Sequence, residues 1–227
     1  MREAAARVKT ALWSLEQRLP ESTRLALMCR RRRARWAQAG VIFVHVPKAA
    51  GTSVSSLLYG RSLGHLPAVA IARHAPDLWA ELPSFALVRT PVGRAYSAWQ
   101  FARQGGTGAA GIGPQVQAAV AKAPSFEAFV VEVLAQMDLS RADPVFRPQA
   151  GYVLDHAGAV LPRALFRLDA MPKAEAWLSE QLGRPVSVPR LNRTTAPEHD
   201  LSPALRRQIE DLYAQDCALY ESQGVGG

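Results

Sequence analysis

Lys48, Gly51, Thr52 and Ser53 stand together in the run VPKAAGTS, and Arg89 and Ser97 stand in a second run, VRTPVGRAYS. The chemistry of the first run is anion binding. A small-residue turn at a helix start aims several backbone N–H groups at one point, and that point attracts phosphate or sulfate. Lys48 adds a mobile positive charge at the same mouth. Gly51 permits a turn that few other residues allow, and Thr52 or Ser53 can cap the following helix. In the second run Arg89 is a planar donor suited to bidentate contact with phosphate. Ser97 lies about two helical turns further on and reaches the same anion if the loop turns back over the helix start.

The order of these residues argues against a magnesium triphosphate. A nucleoside triphosphatase loop reads GxxxxGK[ST], with lysine after glycine and a hydroxyl for the metal. Here Lys48 precedes Gly51. The next apolar strand of such an enzyme ends in an Asp that helps to hold magnesium; here SFALV ends in Arg89. Lys48 and Arg89 with no strand-end carboxylate suit a metal-free ligand with two separated anionic groups. No metal site is expected elsewhere, because the five histidines are scattered and Cys29 and Cys217 form no ligand spacing.

The elements that position these residues follow from apolar patterning. Val41 to Val46 is apolar except for His45 and rich in β-branched residues, which predicts a strand buried on both faces and ended by Pro47. Helix is expected over residues 53–59. Residues 60–72 are ambiguous, and PAVAIAR reads as a second strand, with His74 after it and a short helix in APDLWAEL. Ser84 to Val88 is a strand, and Thr90-Pro91 opens a helix to Phe101 or Arg103. The five glycines of GGTGAAGIG (105–113) argue against regular structure. Ser125 caps a helix to Met137, Ala164 to Leu168 is a strand, and Met171 to Leu182 is a helix stopped by Gly183. Ser202 and Pro203 open a last helix to about Ser222. Strands alternating with helices predict an α/β fold with a mainly parallel sheet, whose ligands bind outside the carboxyl ends of the strands.

The chain of 227 residues is long enough for one α/β domain and an appendage. The division read from the pattern is a helical basic arm over 1–38 and the α/β domain over 39–227. Hydrophobic content of 48% and charged content of 20% are ordinary for a soluble protein. No apolar run is long enough to cross a bilayer, and the first residues lack a signal-peptide core. A cytoplasmic location is expected, with reduced thiols. The net charge of +8 points to an anionic partner. Part of it is the cluster CRRRRARW at the end of the arm. That cluster reads as a peripheral membrane or polyanion contact, for instance at the inner face of a membrane, or as a solvated helix packed on the domain.

At these residues a family resemblance becomes specific. HVPKAAGTS (45–53) resembles the 5′-phosphosulfate loop of sulfotransferases, above all the carbohydrate-type and bacterial branches. FALVRTPVGRAYSAW (85–99) is similar to that family's 3′-phosphate motif, an apolar strand followed by R-x-P-x-x-R-x-x-S. The order and separation of the two motifs match as well. FRPQ (146–149), LNRTT (191–195) and the terminal IEDLYAQDCALYE resemble segments of bacterial members. The resemblance implies a P-loop-like sheet flanked by helices and the co-substrate 3′-phosphoadenosine 5′-phosphosulfate, without a metal. It implies that the backbone from Lys48 through Ala49, Ala50, Gly51 and Thr52 to Ser53 holds the 5′-phosphosulfate. Lys48 would stabilise charge on the bridging oxygen as the sulfuryl group leaves. Arg89 and Ser97 would bind the 3′-phosphate, and Arg94 would be structural. Thr90 departs from the usual Asp or Asn, and Ala49 from a common Thr.

Sulfuryl transfer also needs a base for the acceptor proton. His74 is the first candidate, because related glycan enzymes carry a histidine before the 3′-phosphate motif; a surface histidine is the plain alternative. His65 is a second candidate, while His45 reads as packing. Asp77 and Glu81 can orient His74 or simply be solvated. Arg193 is a candidate nucleotide contact, and Arg147 and Arg193 can also meet an acidic acceptor. The expected function is transfer of a sulfuryl group to a hydroxyl of a glycan, glycolipid or small metabolite, with no nucleic-acid partner. Two alternatives differ in class: a kinase-like nucleotide-binding protein, and a non-catalytic polyanion- or membrane-binding module.

Overall fold

The structure is a computed structural model, and it describes residues 19–107, 110–189 and 201–223. The first part of the arm (1–18) and the whole LNRTT run (191–195), with Arg193, lie outside those residues. The protein is α/β, with a small three-stranded parallel sheet flanked by helices. Strands β1 (Ile42–Val44), β2 (Ser84–Val88) and β5 (Ala164–Arg167) lie in the order β1-β2-β5, with Phe43 opposite Phe85 and Leu87 opposite Phe166. Every residue of β1 and β2 is buried, as expected for strands covered on both faces. All three strands are parallel, so their carboxyl ends open on one edge.

Helix α1 (Glu21–Ala39) ends at Gly40, which takes the left-handed conformation with φ 69° and leads into β1. Cys29 and Trp36 of α1 are fully buried in the same core as β1 and β2. The arginine cluster is therefore carried on a packed helix. Arg32 donates to the carbonyls of Leu63 and Met28, Arg33 pairs with Asp77, and Arg30 and Arg35 are exposed. Among the described residues, no helix is long and apolar enough to cross a membrane.

After β1 come α2 (Gly51–Tyr59), α3 (Ala68–His74) and α4 (Pro76–Glu81). The strand expected in PAVAIAR is in fact α3. Its small apolar residues lie against α1, where the Cys29 thiol reaches the Ala70 carbonyl at 3.7 Å, and no edge of the sheet is offered to them. The edge of β1 is closed by a side chain: the Tyr59 hydroxyl accepts from the Phe43 N–H at 2.8 Å and donates to the Val41 carbonyl at 3.1 Å.

Helix α5 (Pro91–Arg103) leaves β2 with the Thr90 hydroxyl as its cap, accepting from the Gly93 N–H at 3.2 Å. The glycine run after it is more regular than its composition suggests. Gly105 and Gly106 take φ 73° and 93°, and short strands β3 (Gly106–Thr107) and β4 (Ala110–Gly111) pair antiparallel. Helix α6 (Pro114–Lys122) follows. Helix α7 begins at Phe126–Ala128 under a Ser125 cap and continues through a π turn (Phe129–Val133) and a 3-10 turn (Leu134–Gln136). Helices α8 (Ala150–Val153) and α9 (Met171–Leu182) flank β5 in sequence.

The expected single last helix is two, α10 (Pro203–Leu212) and α11 (Ala214–Ser222). At the break, Tyr213 has φ −119° and its hydroxyl donates to the Phe146 carbonyl at 2.7 Å. The bend lets Tyr213 and Asp216 both turn inward onto Arg94, which lies 4.8 Å from the Tyr213 ring. Helices α5, α6, α7 and α10 share a second apolar cluster beside the sheet core.

Candidate functional site

The loop between β1 and α2 is built differently from the expectation that Gly51 makes its turn. The left-handed residues are Lys48 (φ 66°) and Ala50 (φ 56°), with Ala49 buried between them. Ala50 occupies the N-cap of α2, and no side chain caps the helix, so neither Thr52 nor Ser53 plays that part. Thr52 is exposed in the first turn and Ser53 is buried beside it. Gly51 is required for closeness instead of torsion: a Cβ there would lie 1.7 Å from Cδ2 of His45. The N–H groups of Lys48, Ala50, Gly51 and Thr52 make no hydrogen bond to another described residue. Alternating left-handed residues with exposed amides form an anion-binding concavity.

Lys48 is half-buried, with its ammonium 4.1 Å from the centre of the Phe101 ring. Phe101 and Ser97 are one turn apart on α5, so Lys48 rests on the face of α5 that carries Ser97. Ser97 itself is buried. Burial, and after it the neighbouring Arg89 guanidinium, lower the Lys48 pKa to about 8. No carboxylate among the described residues pairs with Lys48.

His45 follows β1 and is buried, its ring stacked on Phe43 at 5.6 Å and 4.2 Å from the ring of His65. Its Nδ1 has no partner among the described residues. Burial holds the His45 pKa well below the usual imidazole value, with the charges of His65 and Lys48 acting in the same direction. His65 Nδ1 lies 3.0 Å from the His45 carbonyl. A carbonyl only accepts, so in the neutral ring Nδ1 carries the proton and Nε2 the lone pair. Burial also lowers the His65 pKa, which keeps that lone pair available at neutral pH.

The structure thus brings His65 to the cradle. His74 is half-buried at the last position of α3, about 9 Å along that helix from Ala68. Asp77 is engaged by Arg33, and Glu81 is exposed. Arg147 donates to the Ala142 carbonyl at 2.8 Å and lies 3.7 Å from Glu21.

Arg89 is the first residue after β2. Its backbone is held by Gln149, and it borders a cavity of about 210 Å³ lined also by Thr90, Leu168, Asp169 and Tyr220. Arg94 points away from this mouth. It is fully buried and pairs with Asp216 at 3.2 Å, and it donates to the Val145 carbonyl. Two features of the site carried no signal in the motif reading. Gln149 lies in FRPQ but has no charge to mark it. Asp169 is a carboxylate in the 3-10 turn (Leu168–Ala170) that follows β5, outside both motifs. It is held by Arg167 at 2.7 Å and by the Tyr220 hydroxyl at 2.8 Å, and the Arg167 guanidinium keeps its carboxyl below the usual range. Among the described residues no His, Cys, Asp and Glu cluster has the makings of a metal site.

Comparison of the chain with models of known families, with characterised proteins and with solved structures finds no match.

Proposed function

We propose that the chain is a sulfotransferase of P-loop-like fold that uses 3′-phosphoadenosine 5′-phosphosulfate and sulfates a hydroxyl of a glycan, glycolipid or small metabolite. The observation that carries this reading is the pairing of two cations at adjacent strand ends. Lys48 sits on a cradle of amides that make no hydrogen bond among the described residues, and Arg89 is near enough to depress its proton affinity, with no described carboxylate paired to Lys48. Like charges held together in a partly buried site favour a ligand that brings several negative charges. The donor has two anionic groups, a 5′-phosphosulfate for the cradle and a 3′-phosphate for Arg89 and Ser97.

In this reading Lys48 meets the charge that builds on the bridging oxygen as the sulfuryl group leaves. The acceptor hydroxyl gives its proton to a histidine. His65 is favoured over His74, because its tautomer is set by the His45 carbonyl and its ring adjoins the residues of the cradle. The basic face of α1 would serve as a peripheral contact for an anionic surface.

Thermal shift tests the reading. Adenosine 3′,5′-bisphosphate without magnesium should raise Tm, and Arg89→Ala should remove most of the shift. A shift by ATP with magnesium alone would instead support a kinase-like protein. Indifference to both nucleotides, with salt-dependent binding to anionic lipid or nucleic acid, would support a binding module.

A further inference from the structure

We infer that Gln149 is a positioning residue that makes the site prefer a nucleotide with a second anionic group, by fixing the backbone from which Arg89 projects. This rests on the reading of the site given above. Gln149 is fully buried, and its amide meets Arg89 twice: Oε1 accepts from the Arg89 N–H at 3.0 Å, and Nε2 donates to the Arg89 carbonyl at 2.8 Å. Two such bonds are what a neighbouring strand would give. The pairing of β2 with β5 stops at Val88 opposite Arg167, so Arg89 is the first residue beyond that ladder. The Gln149 side chain extends the ladder by one residue, at the position where the guanidinium must be aimed.

Gln149 is itself held from behind. Its own N–H donates to Asp216 Oδ2 at 2.9 Å, and the Ala150 N–H donates to Oδ1 at 2.9 Å. Asp216 is paired with Arg94, which projects from α5, the helix that starts just after Arg89. The contacts close a ring: Arg89, along α5 to Arg94, across to Asp216, then Gln149, and back to Arg89. Asp216, Arg94 and Gln149 are all completely buried, so solvent offers no replacement bonds if one link is cut. Released from Gln149, the Arg89 backbone loses both of these bonds at the step from the last strand residue to the Thr90 cap. A bidentate contact is sensitive to displacements of about 1 Å.

The test compares affinities for adenosine 3′,5′-bisphosphate and adenosine 5′-monophosphate, which differ only in the group assigned to Arg89. Gln149→Met keeps the volume and removes both hydrogen bonds. It should weaken binding of the bisphosphate at least tenfold and leave binding of the monophosphate within twofold, so the preference collapses. Gln149→Asn, too short to span both groups, carries the same test if the methionine variant does not fold. Tyr59→Phe, which loses hydrogen bonds at the β1 edge, serves as a control for loss of stability alone and should keep the wild-type preference. Lower Tm with an unchanged preference in both Gln149 variants would overturn the inference and leave Gln149 as a structural residue. Wild-type protein that shows no preference between the two nucleotides would instead overturn the reading of the site.

Discussion

If Lys48 is partly deprotonated in the free protein, binding of an anionic nucleotide must draw a proton from solvent. Burial and the Arg89 charge lower its pKa to about 8. A bound phosphosulfate or phosphate opposes both effects and restores a value at or above the ordinary ~10.4. From this shift the free protein holds about nine-tenths of that proton at pH 7, half at pH 8 and one-tenth at pH 9. Binding should therefore take up about 0.1, 0.5 and 0.9 proton at those three values. Affinity should fall about tenfold between pH 7 and pH 9, because uptake is the negative slope of log K with pH.

Few other groups intrude on this window. His45 and His65 are held below their ordinary value and are already neutral, while Cys29 and Cys217 are raised to about 11. The phosphates of the ligand, with second pKa values of ~6, are about nine-tenths ionised at pH 7 and fully ionised at pH 8 and 9, so the Lys48 proton is counted at the two higher values. The assay is calorimetric titration of adenosine 3′,5′-bisphosphate in buffers of different ionisation enthalpy, which reads the proton count directly. Lys48→Arg keeps the charge but cannot lose its proton, so any residual binding should show no uptake from this position. Zero uptake by the wild type at pH 8, or uptake that survives in Lys48→Arg, would refute the assignment of Lys48 to the anion.

Lys48→Met should stabilise the free protein. The shift from 10.5 to about 8 bounds the cost of the buried ammonium at about 3 kcal/mol, and half-exposure reduces that to about 1–2 kcal/mol. The unfolded chain holds more protons between pH 8 and 10.5, so wild-type stability should rise through that window and the Met variant should lack this rise. Gly51→Ala should cost about 1–3 kcal/mol by overpacking, because the ring of His45 is held between Phe43 and His65 and cannot swing aside. It should also abolish the nucleotide-induced rise in Tm, and His45→Ala in the same chain should recover part of the lost stability in urea melts. Arg94→Met should lower stability by about 3–5 kcal/mol, the cost of leaving the buried Asp216 carboxylate without its cation. Adding Asp216→Leu should restore only part of it, because the N–H groups of Gln149 and Ala150 then lose their acceptor.

Strand and helix boundaries were legible where apolar runs met Pro or Gly. Ser84–Val88, Pro91–Arg103 and Met171–Leu182 stand where the sequence places them. Residues 68–74 were misread because Ala and Val alternate in a run too short for its period to be decisive. The outcome was set by the surface of α1, a long-range fact that no local window contains. The break at Tyr213 has the same origin, since Asp216 and Tyr213 must both reach Arg94. At the site, the motifs named Lys48 and Arg89, but Gln149, a neutral residue sixty positions from Arg89, reaches its backbone only through the fold. In the loop, the sequence points to Gly51 as the turn residue, yet the positive torsions fall on Lys48 and Ala50.

Those torsions bear on function independently of any motif. A left-handed conformation costs an L-residue about 1–2 kcal/mol, and two such residues, Lys48 and Ala50, lie two positions apart here. Among the described residues, the same loop half-buries an ammonium without a carboxylate partner and adjoins a buried imidazole whose Nδ1 has no partner. Glycine at positions 48 and 50 would relieve the torsions but would remove the Lys48 charge and loosen the amides. The contact of Lys48 with the Phe101 ring offsets part of these costs only, because Lys48 and Ala50 remain partly exposed. Several unfavourable terms concentrated between His45 and Gly51 are what stored strain at a binding site predicts. An anion would relieve them together by engaging the free amides and stabilising the charged form of Lys48. Ligand binding should therefore stabilise this segment more than the rest of the fold. Hydrogen exchange would show this as protection by adenosine 3′,5′-bisphosphate at residues 48–54, exceeding any change in α9.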